Sequence, residues 1–397
     1  MKKIRSFLFF CICLFFISLC NNVTLPVFTV SAQKNTEQNI NQELEKNVLE
    51  QLEKLDLQAL QEYVDSLDDY SGEGVAERLL SYIKGEQIDY EGFGRRILDV
   101  LFAKVGELLP SFACIAAITL LSGLISTLNT SFNAPTSSNM IFFITYAAAL
   151  IPLLGVLTEC FKVSTACVSE MKTQMQAVFP LLLTLMAASG GTLSAAVCRP
   201  AVAFFSTTIV STISGVVYPL TITIIAFSMA GKLSTDLKIG KFTAFFKSIN
   251  KWIIGICISA FGIFFTLQGI TSATYDGVVR RAAKYAIGNG IPIVGGFLSG
   301  GFDLAVAGSV LIKNSLGNMS VFLMISVLFE PLVLLIAVNL SLRFTAAITQ
   351  PFGDSRISDF LGETAENLHY CTAGLLFVGF LYFLCVMLMV CSSEVLF

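Results

Sequence analysis

Met319–Leu342 reads MSVFLMISVLFEPLVLLIAVNLSL, 24 residues in which Glu330 is the one ionisable side chain. A helix needs about 20 apolar residues to cross roughly 30 Å of hydrocarbon, and this stretch supplies them. Seven further apolar runs stand beside it, at roughly 111–128, 140–158, 176–197, 201–230, 252–274, 291–312 and 371–392. In lipid each backbone N–H and C=O must find its partner within the segment, so the runs are expected as helices. Across the whole chain of 397 residues, 55% are hydrophobic and 13% charged. An ordinary soluble domain carries about 25% charge. So few charges cannot cover a surface that faces water. The sequence predicts an all-α fold, a polytopic membrane helix bundle of about seven or eight spans.

The first 107 residues have another character. Met1-Lys2-Lys3-Ile4-Arg5, the apolar Phe7–Leu19 and the small Val30-Ser31-Ala32 have the form of a signal peptide, or of an uncleaved N-terminal anchor, over residues 1–32. Residues 33–107 hold 17 of the 28 acidic side chains against 8 basic ones. Ile40, Leu44, Val48, Leu52 and Leu55 recur every three or four positions and continue through Leu60, Val64 and Leu67, which predicts amphipathic helix. That apolar stripe either packs on itself as a small subdomain or docks another protein. Phe93–Leu109, with Arg95, Arg96 and Lys104, is a second amphipathic stretch expected along the membrane interface. A leader ahead of this acidic helical segment makes it extracytoplasmic, and residues 108–397 form the multi-span transmembrane domain. Lys232, Lys238, Lys241, Lys247 and Lys251 crowd one connection, a cytoplasmic signature. Eight strict spans counted from outside would leave that connection outside, so either one apolar run does not cross, the favoured reading, or this amphipathic, Phe-rich connection lies on the outer face.

The chemistry open to the chain is narrow. A single histidine, His369, excludes any site that needs two. Most of the 11 cysteines lie in apolar runs, where cysteine behaves as a small hydrophobe. Cys160 and Cys167 sit in a polar connection without metal-ligand spacing. Phosphate loop, nucleophile elbow, metal-ligand cluster and basic aromatic nucleic-acid face are all missing from the sequence. The expectation is no enzyme, no cofactor, no metal and no nucleic acid.

Ionisable groups inside apolar runs are costly, which makes them informative. Asp303 and Glu330 are candidate wall residues of a polar conduit, with packed or protonated carboxyls as the plain alternative. Arg199 reads as a charge at the membrane surface and Lys313 as a helix-edge charge. Around Asp303, Pro292 and the pairs Gly295-Gly296 and Gly300-Gly301 suggest a broken or re-entrant helix or a very tight crossing, since Gly296 and Gly300 form a GxxxG pair. Gly190-Gly191 reads as helix packing, and Pro219 predicts a kink within 201–230. Broken helices and intramembrane carboxylates also fit a secondary transporter or permease for a small solute, although no internal repeat is visible.

The block Lys284-Tyr285-Ala286-Ile287-Gly288-Asn289, then Ile291-Pro292-Ile293-Val294-Gly295-Gly296-Phe297-Leu298-Ser299, Asp303 and Lys313-Asn314-Ser315-Leu316-Gly317, set in this layout, resembles the stage III sporulation protein AE family of endospore-forming bacteria. The resemblance implies a multi-pass protein of the mother-cell membrane that surrounds the forespore. It also implies a place in a channel or secretion-like complex that sustains late forespore sigma-factor activity. Implied partners are the other stage III A-operon proteins, among them a cytoplasmic ATPase and ring-forming subunits, and, through the complex, the forespore stage II protein Q. The family brings no catalytic residues with it.

Overall fold

The computed structural model describes residues 46–66, 74–83, 91–131, 135–233, 239–290, 295–351 and 355–391, which are helical apart from short turns, with no strand among them. The leader over 1–32 and Pro292 lie outside the described residues. The chain divides into Met1–Lys46 and Asn47–Phe397, and the description concerns the second unit. Residues 47–54 form α1. Then follow α2 (Gln58–Asp65), α3 (Val75–Ile83), α4 (Glu91–Ser131), α5 (Pro135–Ala188), α6 (Thr192–Leu233), α7 (Gly240–Gly290), α8 (Gly295–Thr349) and α9 (Ser355–Cys391).

The six helices α4 to α9 are each long and apolar enough to cross a membrane. The apolar runs expected as separate spans are therefore regrouped. Run 140–158 and most of 176–197 share α5, while 319–342 and most of 291–312 share α8. The intervening polar stretches, 159–175 and 313–318, are wound into these helices, Gly317 included. α5 ends instead at Gly190-Gly191, inside an apolar run. Gly190 has φ of 100°, its N–H bonds Ala187 O at 3.1 Å, and Gly191 N–H bonds Met186 O at 2.9 Å. That is the Schellman stop, in which a left-handed glycine satisfies the last carbonyls. The packing role expected for this pair is corrected to a turn.

The kink expected near Pro219 takes the form of two π-helical stretches, Phe205–Ile209 and Ile213–Val217, just ahead of it. Proline lacks an N–H and clashes with the carbonyl four residues back, and a wider turn relieves both problems. Arg199-Pro200 likewise lies inside helix, within Thr192–Phe204.

α5, α8 and α9 build the core. α5 runs antiparallel to α8: Gln174 Nε2 donates to Ser320 O at 3.0 Å and Cys167 Sγ to Val327 O at 3.4 Å. Val327 O is the carbonyl that Pro331 leaves without its helical donor, so a thiol from the next helix supplies the missing bond. α8 and α9 approach closely because Gly317 and Gly379 carry no Cβ, and Gly374 in the same way lets α9 approach Ile213 and Tyr218 of α6. A Cβ at Gly317 would overlap Val390, and one at Gly379 would lie 2.8 Å from Leu328 Cδ2.

The amphipathic stripe finds a partner that neither sequence reading foresaw. Val48, Leu52, Leu60 and Val64 are all buried, against the chain's own bundle. Gln51 Nε2 donates to Ala305 O at 2.9 Å and Ser309 Oγ donates to Gln51 Oε1 at 2.9 Å, fastening α1 to α8. Tyr63 on α2 is buried beside Cys167 and Glu170 of α5; burial, and then the Glu170 carboxylate, push its hydroxyl above the ordinary tyrosine value.

Candidate functional site

α4, α5 and α8 meet around a cleft of about 530 Å³ whose charged and bent lining includes Lys104, Glu107, Ser111, Pro152, Glu159 and Glu330. Lys104 Nζ lies 3.2 Å from Glu330 Oε1 and 3.3 Å from Glu107 Oε2. Among the described residues Glu159 has no ion-pair partner. One lysine thus faces three carboxylates, and the cleft keeps a net negative charge. Pro152 and Pro331 interrupt the hydrogen-bond ladders of the two helices that flank it.

From the cleft a polar face continues along the outside of α5. After Leu154 no large apolar side chain of α5 is exposed, whereas Met140, Phe143, Ile144, Ile151 and Leu154 are all exposed before it. The outward positions become Thr158, Glu159, Lys162, Thr165, Ser169, Glu170, Thr173, Gln176 and Thr184. Most recur at intervals of three or four, with Pro180 between Gln176 and Thr184, and they form one stripe of about 26 residues, roughly 40 Å at 1.5 Å per residue. Lys172 Nζ donates to Ser211 Oγ at 3.2 Å and extends the polar surface onto α6, whose Thr207 and Thr208 are also exposed.

Of the residues singled out in the sequence, Glu330 stands in the cleft. Asp303 lies on α8 about 27 residues earlier, roughly 40 Å away along a continuous helix, so the two carboxyls do not share a site. Gly295, Gly296, Gly300 and Gly301 are helical, in the opening turns of α8, and their packing falls outside the described residues, as does the side chain of Asp303. Lys313 is corrected from helix edge to core. It is fully buried in mid-α8, and its Nζ donates to Val390 O at 2.6 Å. That carbonyl is among the last of α9, unpaired within its own helix and at the negative end of the dipole.

Two charged groupings escaped the sequence reading. Lys104 had been placed at the membrane interface, and nothing in its surroundings in the chain points to Glu330, which is 226 positions away. Between α6 and α9 Lys232 Nζ lies 3.0 Å from Glu363 Oε1, and Ser228 Oγ donates to the same carboxylate. His369 joins α9 to α8: Arg343 Nη2 lies 3.1 Å from its Nε2. A guanidinium can only donate, so that nitrogen accepts.

Six long apolar helices, three of which frame a charge-lined cleft, define a multi-pass α-helical membrane protein. The family model for stage III sporulation protein AE matches residues 76–393, most of the chain. The chain belongs to that family of sporulation proteins. Stage III sporulation protein AE of Bacillus subtilis (strain 168) is 25% identical over 337 residues, covering 83% of this chain and 84% of that protein. No solved structure matches.

Proposed function

We propose that this protein is a non-enzymatic integral membrane subunit of the mother-cell-to-forespore channel, or secretion-like, complex that sustains late forespore sigma-factor activity during sporulation. It sits in the mother-cell membrane around the forespore, with the acidic segment 33–107 outside the cytoplasm. Its partners are the other stage III A-operon proteins, including the cytoplasmic ATPase and the ring-forming subunits, and the stage II protein Q of the forespore by way of the complex. Family membership supports this reading. The observation that carries it is the polar face of α5, which starts at Glu159 in the cleft and runs outward over a span's length. The charges of Glu159, Lys162 and Glu170, turned away from the core of an apolar bundle, gain nothing from lipid and call for water.

In this proposal the cleft and stripe are one wall of a polar path that other subunits complete. Glu330 stands in the cleft where it begins. Asp303 stands toward its far end, where Pro292, Gly295, Gly296, Gly300 and Gly301 let helices approach. Counted from an extracytoplasmic acidic segment, α4, α5 and α6 bring the chain to the cytoplasm at the lysine-rich connection, as the positive-inside rule asks.

The test pairs accessibility with sporulation. Ser169→Cys and Thr173→Cys are expected to react with a membrane-impermeant maleimide, while Phe143→Cys and Ile151→Cys stay inert. Glu330→Gln, at normal abundance, is expected to lower late forespore transcription; inert stripe cysteines together with full transcription would defeat the proposal. Solute uptake by the purified chain alone in liposomes would support a transporter in its place.

A further inference from the structure

We infer that the start of α7 is a binding surface for anionic phospholipid, with Lys241 and Lys251 meeting the headgroups and Phe242, Phe245 and Trp252 seated at the boundary with the acyl chains. Only 11% of the apolar window of α7, Gly240–Thr266, is buried inside the protein, against 61% for α9, so something outside the chain must cover this helix. Phe245, Trp252, Ile256 and Ile263 recur at intervals of seven and four along one exposed stripe, and Lys241 leads it. Among the described residues neither Lys241 nor Lys251 has a carboxylate partner, whereas Lys232 of the preceding helix is paired with Glu363.

The order along the stripe identifies the occupant. Over roughly 33 Å of helix the large side chains of this face pass from lysine through phenylalanine and tryptophan to isoleucine. A bilayer has that gradient: a charged headgroup layer, an amphipathic boundary favoured by aromatic rings, and hydrocarbon below. An acidic protein surface would match the lysines but would leave the graded lower stripe without a reason. Lysine stems lie along apolar surface while the ammonium reaches the phosphate level, so Lys251 need not sit at the depth of its Cα. The topology proposed above puts this corner on the cytoplasmic leaflet, where anionic lipid attracts basic segments. Lipid contact itself does not depend on that topology.

Trp252 is the one tryptophan of the chain, so its fluorescence reports this site without any label. The full-length protein is reconstituted in phosphatidylcholine vesicles doped with spin-labelled phosphatidylglycerol or with equally labelled phosphatidylcholine, the nitroxide near the top of the acyl chain. The labelled phosphatidylglycerol is expected to quench more strongly. Its preference should fall about fivefold for each of Lys241→Gln and Lys251→Gln and stay unchanged for Lys54→Gln in α1. Equal quenching by the two lipids would overturn the inference. Quenching by aqueous iodide instead of lipid, or shielding from both, would overturn it in favour of water or of a protein partner. Symmetric vesicles make the outcome independent of orientation and of the other sporulation proteins, so failure here leaves the channel proposal standing.

Discussion

The two halves of α5 have similar apolar content and opposite surroundings. Before Leu154 the helix turns large apolar side chains outward, as a span in lipid does; after it, the outward side is mostly hydroxyl, amide and charge, and the large apolar residues face inward. Met171, Met175 and Leu182 are fully buried there among the neighbouring helices. α8 repeats the pattern in reverse: Ile336, Leu340, Phe344 and Ile348 are exposed after Pro331, and no large apolar residue described before it is. Because the helices are antiparallel, the lipid-type surfaces fall at the same end. High hydropathy in a long helix marks burial, and only the outward positions tell whether lipid or protein does the burying.

The largest test removes the cover over the protein-wrapped half. Leu60→Ala is expected to cost about 3 kcal/mol, because Leu60 is 1% exposed and truncation leaves a cavity. Ile151→Ala, at a position 76% exposed, should cost far less in detergent-solubilised thermal unfolding. Equal losses at the two sites would erase the distinction between the halves. Gly317→Val forces a side chain into Val390 at the α8–α9 seam and should cost about 1–3 kcal/mol in the same measurement. Wild-type unfolding would show that this seam is looser than the structure has it.

Gly190→Ala sharpens the boundary at the far end of α5. A Cβ in the left-handed conformation costs roughly 1–2 kcal/mol, so a loss of that size is expected, with Gly155→Ala, where a Cβ meets open space, as the reference. The smallest effect concerns pH. Tyr63 is held protonated above its ordinary value of 10.0 by burial and then by Glu170, so the folded state binds this proton more tightly than the unfolded one. Its contribution to docking is complete below pH 10 and is lost as pH rises beyond it. Tyr63→Phe keeps the ring and removes a hydroxyl that has no partner among the described residues. Its stability at neutral pH should change by no more than about 1 kcal/mol, and protease release of the N-terminal helices should no longer rise in alkali. An unchanged alkaline release would clear Tyr63 of the effect.

Composition and periodicity made the class legible, and the stripe Val48, Leu52, Leu60, Val64 was recognisable as a buried face. Its partner was not, because an amphipathic pattern specifies an apolar neighbour without saying which. Helix ends were misplaced for a related reason. Polarity between apolar runs resembles a loop, yet the 159–175 stretch stays helical and the stop comes from one glycine φ at Gly190. Glu330 stood out as a charge within an apolar run. Lys104 and Glu159 did not, since each lies near other charges at the margin of an apolar run, Asp99 and Glu107 for the one and Lys162 for the other, and acquires meaning only across helices. Lys313 looked peripheral because the carbonyl it serves belongs to Val390, 77 positions on.

The paired π-turns of α6 carry a consequence for its angular phase. Each takes in an extra residue, and one residue is worth about 100° of rotation on an α-helix. Each wide turn absorbs its extra residue, so Tyr218, Thr221, Ser228 and Lys232 keep the direction that the helix before Phe205 gives them. Removing one residue between Phe205 and Val217 would let that turn close to α-helix with Lys232 still aimed at Glu363, whereas a deletion beyond Val217 would swing it away. A bundle built in this way tolerates a change of length in that segment far better than one after it.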